Sequence, residues 1–256
     1  MNLEELIKLT SLLLALSSLI QSLEYLSLKN IFSQRGIFRS PIIENDLLGI
    51  YSYINREQVF LCILYWRLIC SLLLFFSSSP YILASLLLTQ LLLAIRFRGT
   101  FNGGSDYMTI LTMIALLIAS ISPNNKLFAI PLMYLAVQTI LSYFFAGVAK
   151  LRDDDWRSGT AIAKIINGPN FSPPHFFKRL LQDKLVAFLL CWIVMGFEVT
   201  LPLIGFFPDY LIYALSGLLI FHLINFFIFG LNRFVFAWLA TYPAVFYLLT
   251  NLPSTK

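Results

Sequence analysis

Charge is scarce in this chain: Asp, Glu, Lys and Arg make up 12% of its 256 residues, and only two histidines and three cysteines accompany them. A soluble domain carries roughly 25% charged residues, so too little polar surface exists to cover a water-soluble particle of this length. That shortage excludes a soluble globular fold and leaves lipid as the solvent. Cys62, Cys70 and Cys191 lie inside apolar runs, without the even count of a disulfide framework or the spacing of a zinc site. They read as buried, inert thiols, and no metal site is expected. The chain also has no phosphate-cradling glycine loop, no serine-centred nucleophile elbow and no metal-spaced histidine cluster. Asn102-Gly103-Gly104 reads as a turn, because no strand precedes it as a nucleotide fingerprint requires. The basic residues are too scattered for nucleic acid.

What fills the chain is apolar: 59% hydrophobic and 16% aromatic residues. Apolar runs bounded by Pro, Asn, Gly or charge fall at 6–28, 59–79, 81–95, 107–122, 127–148, 185–207, 210–230 and 234–250. At about 20 residues per span, these predict an all-α, polytopic membrane helical bundle of about eight transmembrane helices in a single domain, 1–256, with no room for a separate soluble domain. The third and fourth runs are short, which predicts tilt, local thinning or a re-entrant path there. Two long connections, 29–58 and 149–184, read as interfacial or re-entrant loops. The first 28 residues begin with Glu4 and Glu5 and lack a basic n-region and a small-residue cleavage site, so they read as a retained first span.

If the helices alternate, the loops after odd-numbered helices share one side of the membrane and hold 14 of the 18 Lys and Arg residues. The positive-inside rule makes that side cytoplasmic. No inverted internal repeat of the transporter kind is present, which counts against a transporter.

Ionisable groups at membrane depth cost about 2.5–3.5 kcal/mol each on insertion scales and normally face the protein interior. Glu24, Arg67, Glu198 and His222 lie within apolar runs, and Asp106, Lys150 and Arg233 lie at their edges. Such residues serve either interhelical hydrogen bonds and ion pairs or a functional site. Lys150 ends an apolar stretch after the small-residue step Ala146-Gly147 and precedes three aspartates and Trp156. A partly desolvated lysine can lose its proton near neutral pH, as a general base must. The alternative is an interfacial lysine snorkelling to Asp153 or Asp154. His222 and Asn225, three residues apart, share one helical face and could bind a polar ligand, or His222 could be packed and satisfied by neighbours.

Three blocks carry a family resemblance. YFFAGVAKL at 143–151, followed by DDDW and Gly159, resembles the Tyr-Phe-x-Ala-Gly-x-x-Lys-Leu block, with its downstream Asp-x-x-Trp and Gly, of the horizontally transferred transmembrane (HTTM) domain family, which includes vitamin K-dependent gamma-glutamyl carboxylase. FHLIN at 221–225 resembles its Phe-His-x-x-Asn, and LNRFVFAWLATYPAVF its phenylalanine-rich helix ending in a small-Pro step. GIFRSPIIEN, 36–45, resembles more weakly the segment after the first helix. The blocks keep the family's order across most of the chain.

The resemblance implies that Lys150 is the catalytic base, that an apolar quinol-type cofactor enters from lipid, and that Trp156, His222 and Asn225 bind cofactor or substrate; Asp106 and Glu198, polar residues at the edge of and within apolar runs, are expected to join them. It also implies a Lys150 loop on the extracytoplasmic face, opposite to the charge count. Two departures bear on the chemistry: Ala149 replaces a lysine of the carboxylase, and the segment FNGGSDYM has glycine where the carboxylase has an essential histidine. These 256 residues also contain no counterpart of the carboxylase's large soluble domain. The departures point away from glutamate carboxylation and leave quinol-type or peptide-modifying chemistry at Lys150. Small bacterial members of the family help mature a secreted sporulation-delaying toxin peptide. That analogy implies a multi-pass protein of the bacterial cytoplasmic membrane whose partners are the lipid bilayer, a small secreted peptide and a membrane-associated partner protein. A non-catalytic membrane component that binds a hydrophobic peptide or lipid is the competing expectation.

Overall fold

The structure, a computed structural model, describes residues 2–33, 35–37, 50–54, 56–96, 103–122, 125–168 and 173–251. All but the first two residues of the GIFRSPIIEN segment fall outside these. Among the described residues every regular element is helical: α1 (Leu3–Ser27), α2 (Ile50–Ile54), α3 (Glu57–Leu74), α4 (Pro80–Arg96), α5 (Gly103–Ile121), α6 (Asn125–Arg152), α7 (Asp154–Ser158), α8 (Thr160–Asn167), α9 (His175–Leu181), α10 (Lys184–Thr200), α11 (Leu211–Phe229), α12 (Asn232–Leu239) and α13 (Tyr242–Asn251). Short 3-10 turns lie at Lys29–Phe32, Leu201–Phe206 and Pro208–Tyr210. Among the described residues, seven stretches are long and apolar enough to cross a bilayer, the last of them Asn232–Asn251. The eighth expected span, α4, has 17 residues, about 25 Å of helix against a hydrocarbon core of about 30 Å. The protein is therefore an all-α polytopic membrane protein, as its composition predicts.

The chain divides into two compact units, Met1–Leu135 with Phe236–Pro243, and Ala136–Val235 with Ala244–Lys256. In the first, α1 packs mainly on α3, and α4 on both α3 and α5. Asn2 and Glu5 close a capping box at the start of α1, satisfying amide groups that a helix start leaves open. Ser11, Ala15, Ser18 and Ser22 of α1 are buried, whereas Leu9 and Leu23 are exposed. Leu6 and Leu14 are buried on the same helix; the small residues let the neighbouring helices approach closely, while lipid accepts the exposed leucines.

Arg67 of α3 is fully buried, and its charge is dispersed through hydrogen bonds. Its guanidinium donates to the Leu86 carbonyl at 3.1 Å, to Thr89 Oγ1 at 3.2 Å and to Gln21 Oε1 at 2.6 Å. The Gln21 amide then donates to Asp106 Oδ1 at 3.4 Å, and Gln90 does so at 3.5 Å. One amide thus links a buried cation to a buried anion, and Asp106 sits in the first turn of α5, where the helix N-terminus favours negative charge.

In the second unit α10 is the centre: α7, α8 and α9 all pack on it. Asp183 caps α10 by accepting from the Leu185 and Val186 amides, both at 3.0 Å. Gly159, between α7 and α8, has φ +78, and a Cβ there would lie 2.5 Å from Phe188 Cα. Only glycine supplies that left-handed turn and that close approach together.

The structure corrects four expectations. Gly103 and Gly104 begin α5 instead of forming a turn, and Gly104 fits beneath Trp238, whose Cζ2 would be 3.2 Å from an added Cβ. Cys62 is exposed, unlike Cys70 and Cys191, since it lies on the outward face of α3. The run 234–250 is two helices, α12 and α13, because Pro243 has no amide hydrogen to continue the ladder across 240–241. The connection 149–184 is not plain loop, for it holds α7, α8 and α9.

Candidate functional site

Tyr143, Gly147 and Lys150 fall at i, i+4 and i+7 on α6, so they line one helical face over about 10 Å. At the middle position the helix meets α10 closely: a Cβ on Gly147 would come within 2.7 Å of Val199 Cγ2 and 2.9 Å of both Glu198 Cβ and the Val199 amide nitrogen. That approach brings the α10 carboxylate to the α6 amine. Lys150 Nζ donates to Glu198 Oε1 at 2.9 Å and to Oε2 at 2.7 Å. The lysine side chain is 20% exposed and the glutamate 5%, so the pair is largely withdrawn from its surroundings.

Trp156 completes this end of the site, its ring centroid 5.2 Å from Lys150 Nζ. The indole packs against the buried cluster of Ala161, Cys191 and Met195. Its backbone amide is held by Asp153 Oδ1 at 3.2 Å. A cation over an indole face, held as well by a carboxylate, is a pre-formed environment for a positive charge or for a proton that changes owner.

The alternative that pairs Lys150 with Asp153 or Asp154 is overturned, since the lysine contacts Glu198. Helical side chains lean toward the helix N-terminus, so Lys150 reaches back over Gly147 to Glu198, not forward to the aspartates. Asp153 instead caps α7 through the Asp155 and Trp156 amides, and Asp154 pairs with Arg157. Asp155 accepts from Lys164 at 2.6 and 2.7 Å, and that hydrogen bond, together with one from Thr160, holds its carboxyl below the ordinary aspartate value.

Two turns up the α6 face, Tyr143 and His222 meet, with 2.6 Å between the phenol oxygen and His222 Nε2. Both are buried. Phe221 and Phe234 flank the imidazole at ring separations of 5.2 and 6.4 Å. Asn225, one turn along α11, is half-buried. Lys150, Trp156, Glu198, His222 and Asn225 all belong to the second unit, whereas Asp106 belongs to the first, with Gln21 and Gln90 as described partners. The residue missed from sequence is Tyr143, although its seven-residue spacing from Lys150 was a usable signal.

These features define a multi-pass helical membrane protein with a lysine–glutamate pair under an indole. The HTTM domain family model matches residues 111–248, more than half of the chain, and the protein belongs to that family. No curated protein and no solved structure matches it.

Proposed function

We propose that this protein is a membrane-embedded enzyme or maturation factor that acts on a peptide, with Lys150 as its base. The observation that carries the reading is the Lys150–Glu198 contact beside Trp156. An ammonium and a carboxylate at this separation can share one proton. When Lys150 passes its proton to Glu198, the amine lone pair is free and both groups are neutral. The amine then takes a proton from a substrate O–H or C–H bond. The electron pair stays on the substrate, and the N–H bond formed restores the ammonium.

The donor set also fits a quinol-type cofactor, whose hydroxyl Lys150 and Glu198 would hold between a donor and an acceptor. When bound, such a group supplies an acidic hydroxyl and reducing equivalents. Trp156, His222 and Asn225 would bind and orient the substrate or cofactor, and the phenylalanines around His222 would exclude water. By family analogy the substrate is a small secreted peptide and the setting a bacterial cytoplasmic membrane.

The second reading, a non-catalytic component that binds a hydrophobic peptide or lipid, is favoured by the engagement of Lys150 with both Glu198 oxygens. Lys150→Arg separates the two readings, because arginine keeps charge and pairing but cannot release a proton. Small secreted peptides are compared by mass spectrometry in cells with the wild type, with Lys150→Arg and with the gene deleted. A catalytic lysine predicts that the arginine variant loses the same peptide product as the deletion. Full retention of that product would leave the non-catalytic reading standing.

A further inference from the structure

We infer that α9 and the start of α10 form a binding site for the anionic headgroup of a phospholipid, independent of any chemistry at Lys150. The position follows from the spans. Lys184 begins one membrane-crossing stretch, Lys184–Phe206, and Phe229 ends the next, Pro208–Phe229. Leu181 of α9 packs with Ile228, and Leu190 and Phe229 close over the same contact. Helix α9 is therefore seated at the end of this pair of spans, at the depth where hydrocarbon gives way to headgroups.

Charge and surface agree with that position. Lys178, Arg179 and Lys184 have no acidic partner among the described residues. The nearest carboxylate in sequence, Asp183, is turned to the Leu185 and Val186 amides as the α10 cap. Lys184 moreover sits in the first turn of a helix, where the backbone dipole disfavours a cation. An external phosphate would offset that repulsion. Beside the cations, Phe176 is 71% and Leu180 42% exposed. Four residues apart, they share one flank of α9. An apolar flank dipping among acyl chains with cations at phosphate level is how short interfacial helices hold lipid. A water-soluble acidic partner would have no use for the apolar flank.

The test uses the full chain, purified in a non-ionic detergent and titrated with phosphatidylglycerol or with phosphatidylcholine of the same acyl chains, adducts being counted by native mass spectrometry. Wild type should prefer phosphatidylglycerol, and Lys178→Gln/Arg179→Gln/Lys184→Gln should lose about tenfold or more of that affinity, given the worth of each interfacial cation. A charge-matched control, Lys29→Gln/Arg35→Gln/Arg56→Gln, should retain it, as should Lys178→Arg/Arg179→Lys/Lys184→Arg. Equal binding of the two lipids by the wild type overturns the inference without recourse to any variant. Equal losses in the two glutamine triples also overturn it, because bulk charge would then explain the binding. If a polyglutamate peptide binds the wild type and phosphatidylglycerol does not, the face takes an acidic peptide and the lipid assignment fails.

Discussion

Replacing Glu198 with glutamine keeps the side chain's size and removes its charge, leaving the Lys150 ammonium without the carboxylate that contacts it at 2.7 Å. Removing one member of a buried ion pair costs about 3–5 kcal/mol. The lysine side chain is 20% exposed, so part of its charge can be met from outside, and about 3 kcal/mol is the figure expected. For a chain of this size each kcal/mol moves the unfolding midpoint by about 2–4 °C, which predicts a fall of roughly 6–12 °C. The double variant should behave differently. Lys150→Met/Glu198→Leu removes both charges and fills similar volume, so it should unfold within about 1 kcal/mol of the wild type. Intrinsic fluorescence melting in a single detergent, for the wild type, the single variant and the double variant, measures both effects. If Glu198→Gln melts with the wild type, or the double variant is no better than the single, the two groups are not a desolvated ion pair and the account of this site is wrong.

Gly147→Ala forces a methyl within 2.7 Å of Val199 Cγ2 and 2.9 Å of the Val199 amide nitrogen. Overpacking of about 1–3 kcal/mol outweighs the gain of about 1 kcal/mol in helix propensity, so the variant should melt lower. Gly159→Ala combines a left-handed φ of +78 with a contact of 2.5 Å to Phe188 Cα. It should be destabilised by at least 1 kcal/mol in the same assay, and a neutral result would contradict the α7–α8 turn described above. The Asp155–Lys164 contact should respond to acid. Because the folded carboxyl is held below the ordinary aspartate value of 3.8, its contribution is complete above that value and disappears as pH falls through the lower, folded-state value. Limited proteolysis around α8 should quicken only in that acid range, and Asp155→Asn should quicken it already at neutral pH.

Much of the fold was legible because it rests on local properties. A 59% hydrophobic chain with runs of span length has only helices available in lipid, since every backbone amide must be satisfied within its own segment. The runs 6–28 and 210–230 accordingly match α1 and α11 closely. The misreadings fall where a distant residue intervenes. Gly103-Gly104 looks like a turn until Trp238 is laid over it, and the charged stretch after Lys150 looks like a loop until α10 offers its helices a surface.

The sequence by itself determined that this is a polytopic membrane protein, and it marked Lys150, Glu198 and His222 as unusual, because a polar group in an apolar run is conspicuous without knowledge of the fold. Only the tertiary structure decided who meets whom. Lys150 takes Glu198, 48 positions away, in preference to aspartates three and four residues on, and His222 takes Tyr143, 79 positions away. Those choices depend on how closely two helices can approach, which at Gly147 is set by a missing side chain, and on the backward lean of helical side chains. Neither is a property of any single segment, so no reading of one run at a time could supply them.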